Sequence, residues 1–161
     1  MATTKLSDVC RVCAVSQDLI QVEILDSTEF KNHTGRQLTI GSYLKITDED
    51  DHSVIALVQS YRIKDPSGVD SSAKPTEPSF ILDAQPVGFL DADGHFRRGG
   101  QQIAIPPTQV SLATDTELSA IYACGADEEL LLGTLAQSEA IEMPVYGDLF
   151  FSKHIAVVCS T

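Results

Sequence analysis

The sequence predicts a mainly β protein: a small β-barrel of roughly five or six strands, followed by a shorter segment of different texture. Three observations lead there. Between residues 17 and 112, short apolar runs with period-two alternation or β-branched content recur between turn signals, with little helical periodicity. The turns carry Pro, Gly and Asp-Gly, the residues that reverse a strand. From Thr114 onward a capping signal and apolar segments replace this pattern.

Residues 1–16 form a lead-in containing Cys10 and Cys13, expected as two ordinary reduced cysteines in an N-terminal strand. Leu19 to Leu25 (LIQVEIL) alternates Ile20, Val22 and Ile24 with polar partners and reads as a strand. Tyr43 to Thr47 is a short strand ending in the acidic turn Asp48-Glu49-Asp50-Asp51. Ser53 to Lys64 (SVIALVQSYRIK) is a long strand, apolar first and alternating later. Residues 65–79 (DPSGVDSSAKPTEPS) are dense in Pro, Ser and Gly and are expected to form a mobile loop, because they bury too little apolar surface to offset ordering.

Phe80 to Leu90 is the next strand, with Pro86 and Gly88 indicating an edge, bend or bulge. Asp91-Ala92-Asp93-Gly94 is a turn, since Asp-Gly suits positions of positive φ. It leads to Arg97-Arg98-Gly99-Gly100, then to Gln102 to Ile105 and the breaker Pro106-Pro107. Thr114 or Asp115 caps a short helix through Tyr122. Leu130 to Leu135, Ile141 to Tyr146 and His154 to Cys159 are three further apolar segments, the last a continuous run of the kind buried on both faces of a sheet.

The chain has 161 residues with 11 Lys and Arg against 23 Asp and Glu, a formal net charge of -12. That sign opposes binding of nucleic-acid phosphates through the general surface, so no direct nucleic-acid contact is expected. No apolar run reaches the roughly 20 residues of a membrane-spanning helix, and the start lacks a secretory pattern, so a cytoplasmic protein with no membrane partner is expected. Cys10-x-x-Cys13 lacks a second ligand pair for zinc and lacks the strand-to-helix setting of a thiol redox motif. No metal site is therefore assigned. G-x-S-x-G, H-E-x-x-H and G-x-G-x-x-G are all absent, and no residue takes a catalytic role.

The final run ends at Cys159-Ser160-Thr161. A buried strand followed by a small-residue turn is how phosphate-binding loops begin, with the glycine and lysine coming later. The chain is accordingly read as the N-terminal part of a larger protein, stopping where such a loop starts.

A family resemblance sharpens that reading. The stretch Pro86 to Leu118 resembles the later half of the HAS barrel of HerA-type hexameric DNA translocases, through Pro86, Gly88, the turn ending at Gly94, Phe96, Arg98-Gly99, Pro107 and Val110. Leu131 to Thr161 is similar to the entry into that family's RecA-like motor, through Leu132-Gly133-x-Leu135 and Phe151-x-Lys153-His154-x-Ala156-Val157-Val158. Cys159 stands where the family's loop has its first glycine. The resemblance implies a barrel in 17–113 and, in 114–161, a connector with the first strands of a truncated RecA-like α/β core. It implies a parent that binds ATP and Mg, with Cys159, Ser160 and Thr161 starting its nucleotide-binding loop. It also implies a hexameric ring and a nuclease or sirtuin-type partner in DNA end processing or anti-phage defence.

On this reading the chain itself is a non-catalytic assembly and docking domain with no cofactor of its own. Arg97 and Arg98, the one local basic pair beside two glycines, are its candidate interface residues, able to reach a neighbouring carboxylate. A solvated turn explains the same pair. The alternative from another class is a stand-alone acidic β-barrel interaction module with no motor.

Overall fold

The structure is a computed structural model that describes residues 9–35, 37–48, 52–64, 79–91, 93–99, 109–123, 129–136 and 138–156. It is mainly β. The chain divides into two compact units, Met1–Ala113 and Thr114–Thr161.

The first unit holds strands β1 (Cys10–Val15), β2 (Ile20–Ile24), β3 (Tyr43–Thr47), β4 (Ser53–Lys64), β5 (Ser79–Leu90), β6 (Phe96–Arg98) and β7 (Gln109–Leu112), with helix α1 (Ser27–Thr34) between β2 and β3. All strand pairs are antiparallel, in the order β1-β2-β5-β4-β3-β7, and β6 adds to β5. The lead-in therefore supplies a strand of the sheet itself, because Arg11 and Val12 register against Glu23 and Val22. β2, β3, β4 and β5 follow the alternation visible in the sequence, each to within a residue.

Alternation also explains the core. Ile20, Val22 and Ile24 meet Leu44, Ile46, Val54, Ala56, Val58, Leu82, Ala84 and Val110 on one face. The sheet curls around this cluster, and bulges at Val12/Ala14, Ile55/Ala56 and Val58/Ser60 add local twist. Its first and last strands approach one another, where Cys10 Sγ lies 3.9 Å from the Val110 carbonyl oxygen. The result is a small barrel-like fold. Pro86 sits at the Ile55/Ala56 bulge, opposite Ala56, between the stretches of β5 that pair with β2 and with β6. An interior strand tolerates its missing N–H there because only one side is paired.

α1 is a helix that the sequence reading did not anticipate, since its residues are mostly polar. Asp26 caps it, accepting from Glu29 N–H at 2.8 Å, and Gly35 ends it at φ 68° with its N–H donating to the Lys31 carbonyl. Phe30 is its single anchor, 1% exposed in the core, and burying such a ring contributes about 1.5–3 kcal/mol.

Asp91 builds the β5–β6 turn. Its Oδ1 accepts from the N–H of Asp93 at 3.1 Å and of His95 at 2.8 Å, while Gly94 takes φ 82°. This agrees with the turn expected from Asp-Gly. The expected mobile loop 65–79 lies outside the described residues except for Ser79, which begins β5. The expected strand Gln102 to Ile105 and the breaker Pro106-Pro107 lie outside them entirely.

The second unit holds α2 (Asp115–Tyr122), an antiparallel hairpin of β8 (Glu129–Leu135) and β9 (Ser138–Tyr146), and α3 (Gly147–Phe151). Thr114 and Glu117 form a capping box: Thr114 Oγ1 accepts from Glu117 N–H at 3.3 Å, and Glu117 Oε2 accepts from Thr114 N–H at 2.8 Å. α2 packs on β9, and among the described residues of the unit Leu118, Ile121 and Ile141 are the buried apolar side chains. The sequence predicted a buried strand over His154 to Cys159. The described part, 154–156, forms no strand and is exposed, because no neighbouring strand among the described residues offers it a ladder. Among the described residues, no helix is long and apolar enough to cross a membrane.

Candidate functional site

Of the site residues expected from the sequence, Arg97 and Arg98 lie among the described residues. Cys159, Ser160 and Thr161 lie outside the described residues. Arg97 and Arg98 are adjacent on β6, so their side chains leave opposite faces of the strand. Arg97 Nη2 lies 3.8 Å from Asp91 Oδ2 and is 68% exposed, a loose surface pair, and Arg98 is exposed as well.

Asp91, Asp93 and His95 bring one potential ligand atom each within 4.8 Å of one another. The turn accounts for this closeness. Hydrogen bonds from the backbone N–H groups of His95 and Asp93, together with the electrostatic influence of the nearby His95 and Arg97 side chains, hold the Asp91 carboxyl below its ordinary range, with desolvation opposing them.

Cys10 and Cys13 occupy different surroundings. Cys10 is buried in the core, and burial pushes its thiol up to about 11. Cys13 is exposed, with Sγ 3.8 Å from Glu23 Oε2.

A polar network centred on a buried carboxylate lies on the outer face of the sheet. Glu23 is 3% exposed. Its Oε2 pairs with Arg11 Nη2 at 2.6 Å, and its Oε1 accepts from Lys64 Nζ at 3.0 Å and Ser79 Oγ at 3.2 Å. Burial alone would raise its pKa. The hydrogen bonds from Lys64, Arg11 and Ser79, with the Arg11 charge, outweigh that and hold it at about 2. One strand over, Asp83 accepts from Gln21 Nε2 at 2.8 Å and Ser60 Oγ at 3.1 Å, with Arg62 at 3.9 Å. Glu23 had been read only as the polar partner in an alternating strand. The available signal was a carboxylate between Val22 and Ile24 in a run whose one other polar residue is the uncharged Gln21.

On the inner face a cleft of about 730 Å³ opens beside α1. Ile24, Phe30, Leu38, Ile40, Tyr61 and Phe80 line it, and Lys31 adds a charge. Tyr61 and Phe80 meet edge to face with centroids 6.5 Å apart. Ile40, Tyr61 and Ile63 are 57–62% exposed, large apolar side chains left in solvent at one end of the sheet.

The second unit has its own apolar surface. Leu131, Leu132, Tyr146, Leu149, Phe151 and Ile155 are all exposed, between 44% and 69%. Phe151 meets Phe150 edge to face, with centroids 5.4 Å apart. The same unit carries eight Asp and Glu against one Lys.

No family model matches the chain, and no curated protein does either.

Proposed function

We propose that the chain is a non-catalytic assembly and docking domain, and that its principal contact surface is the apolar stretch of the second unit. The observation that carries this reading is the six large apolar side chains left exposed between Leu131 and Ile155. Single exposed apolar residues are ordinary, but six large ones in so small a unit offer apolar area for another protein to cover. The surrounding acidic excess favours an apolar partner surface edged with Lys and Arg.

The parent is proposed to be a cytoplasmic HerA-like, ATP-driven DNA translocase working with a nuclease or sirtuin-type subunit. In that setting Arg97 and Arg98 contact a neighbouring subunit of the ring, and Cys159, Ser160 and Thr161 begin the ATP and Mg loop. The support is the sequence resemblance together with a barrel-like fold. A stand-alone acidic interaction module is the second reading, favoured by the self-contained core of the first unit.

Light scattering after size exclusion tests the docking surface. Self-association is expected, and the Leu149→Ser/Phe151→Ser double variant should be monomeric. A wild-type monomer indifferent to that change would remove the assembly reading. The coding sequence past Thr161 separates the two parents: Gly-x-Gly-Lys followed by Ser or Thr supports the motor, and a stop codon sinks it.

A further inference from the structure

We propose that the outer end of β4, Ser60–Lys64, is a docking edge for an extended peptide whose side chains alternate between apolar and acidic. β3 covers β4 from Ser53 to Leu57. Two backbone hydrogen bonds extend that cover to Val58, which donates to the Ser42 carbonyl at 2.9 Å and accepts from Gly41 N–H at 2.8 Å. There the chain turns away, with Gly41 at φ 90° and Ser42 N–H donating back to the Thr39 carbonyl at 3.0 Å. Beyond that point, among the described residues, Ser60–Lys64 has β5 on one side and no strand on the other. Such an edge presents backbone donors and acceptors to any segment able to lie alongside it.

The two faces of this edge differ in chemistry. Cross-strand partners share a face, so the rows Ile24–Phe80–Ile63 and Val22–Leu82–Tyr61 continue the inner apolar surface out to the edge. Tyr61 also lines the 730 Å³ cleft, which gives an added strand's apolar side chains somewhere to go. On the outer face, Arg11, Glu23, Ile81 and Arg62 form one row, with Lys64 beside it. Arg11, Arg62 and Lys64 are each more than half exposed and, among the described residues, pair with two carboxylates, Glu23 and Asp83. In a chain of net charge -12, the charged side chains of the edge segment itself are both cations, Arg62 and Lys64, while the carboxylates they approach, Asp83 and Glu23, sit one and two strands inward.

A strand laid against Ser60–Lys64 places alternate side chains on these two faces, apolar toward Tyr61 and Ile63 and acidic toward Arg62 and Lys64. The charge argues against a second copy as the occupant. Antiparallel self-pairing centred on Arg62 would put like charges opposite one another, which destabilises a strand pair. This site belongs to the first unit and is independent of the apolar stretch of the second.

The test uses the full chain and three end-blocked seven-residue peptides: alternating Val and Glu, alternating Val and Lys, and a block isomer with all Val before all Glu. Fluorescence anisotropy reads affinity, and amide hydrogen exchange reads location. The Val–Glu peptide should bind about tenfold or more tightly than either control and slow exchange within Ser60–Lys64. Arg62→Glu should weaken the Val–Glu peptide about tenfold and strengthen the Val–Lys peptide, a reversal that loss of folding cannot mimic. Ile63→Ser should weaken binding of the Val–Glu peptide without reversing the charge preference. Equal binding of alternating and block peptides, protection elsewhere, no binding up to about 1 mM, or a dimer formed through this edge would each overturn the proposal.

Discussion

Glu23 and Lys64 are 41 residues apart, yet Lys64 Nζ donates to Glu23 Oε1 at 3.0 Å across the intervening strand β5. Arg11 reaches the same carboxylate from β1 and Ser79 from β5, so four strands are tied together on the outer face by one buried acid. Removing Glu23 leaves only half-exposed cations behind, which water can solvate. Glu23→Gln should therefore cost about 1–3 kcal/mol in urea denaturation at neutral pH, less than stranding a buried charge.

The same carboxylate sets a pH dependence. Its folded pKa of about 2 lies below the ordinary 4.5, so the unfolded chain takes up the proton first. Its stabilisation is present in full above 4.5 and is lost as pH falls toward about 2. Because Arg11 and Lys64 are solvent-screened, the loss should be about 1–2 kcal/mol. The Glu23→Gln protein should show a smaller fall in stability over that window. An identical fall in both proteins would mean that Glu23 does not titrate with folding.

Gly88 is required by a close approach, since a Cβ there would run into the Arg97 carbonyl and the Phe96 ring. The backbone oxygen cannot rotate out of the way. Gly88→Ala should push β6 off β5 and destabilise the protein by about 1–3 kcal/mol. A lowered Tm with increased exchange at 96–98 would confirm this, and an unchanged Tm would show that β6 adjusts freely.

Thr114→Ala removes the hydroxyl that accepts from Glu117 N–H, at a cost of about 1 kcal/mol. Thr114→Ser should recover most of it. Chemical denaturation of both variants checks the ordering, and equal losses would assign the effect to the methyl group instead.

Thiol alkylation followed by peptide mass mapping separates the two N-terminal cysteines. Cys13 should react in the native protein. Cys10, with a pKa raised from 9.0 to about 11, has about a hundredfold less thiolate than an ordinary thiol and is also shielded. Native-state labelling of Cys10 at the rate of Cys13 would mean that β1 opens.

Much of the fold was legible because its signals are local. The period-two pattern in LIQVEIL, YLKIT and SVIALVQSYRIK marks strands whatever they pair with, and Asp91 to Gly94 closes its turn with its own side chain. α1 was missed for the same reason. Its polar face carries no helical stripe, and one residue, Phe30, holds it to a core assembled from distant strands. Of the proposed interface pair, Arg97 and Arg98 were visible only as neighbouring charges, which a strand then sends to opposite faces.

By itself the sequence determined which residues alternate, that a helix starts at Thr114 or Asp115, and that the chain is acidic. Tertiary structure decided what those residues do. It set Arg11 and Lys64 around Glu23, sent Cys10 inward and Cys13 outward, and left Tyr61 and Ile63 on an edge that β3 does not reach. Alternation is a property of one strand and is written within a few residues. Strand order and burial depend on partners many residues away, and a local pattern carries no record of which partner comes to lie beside it.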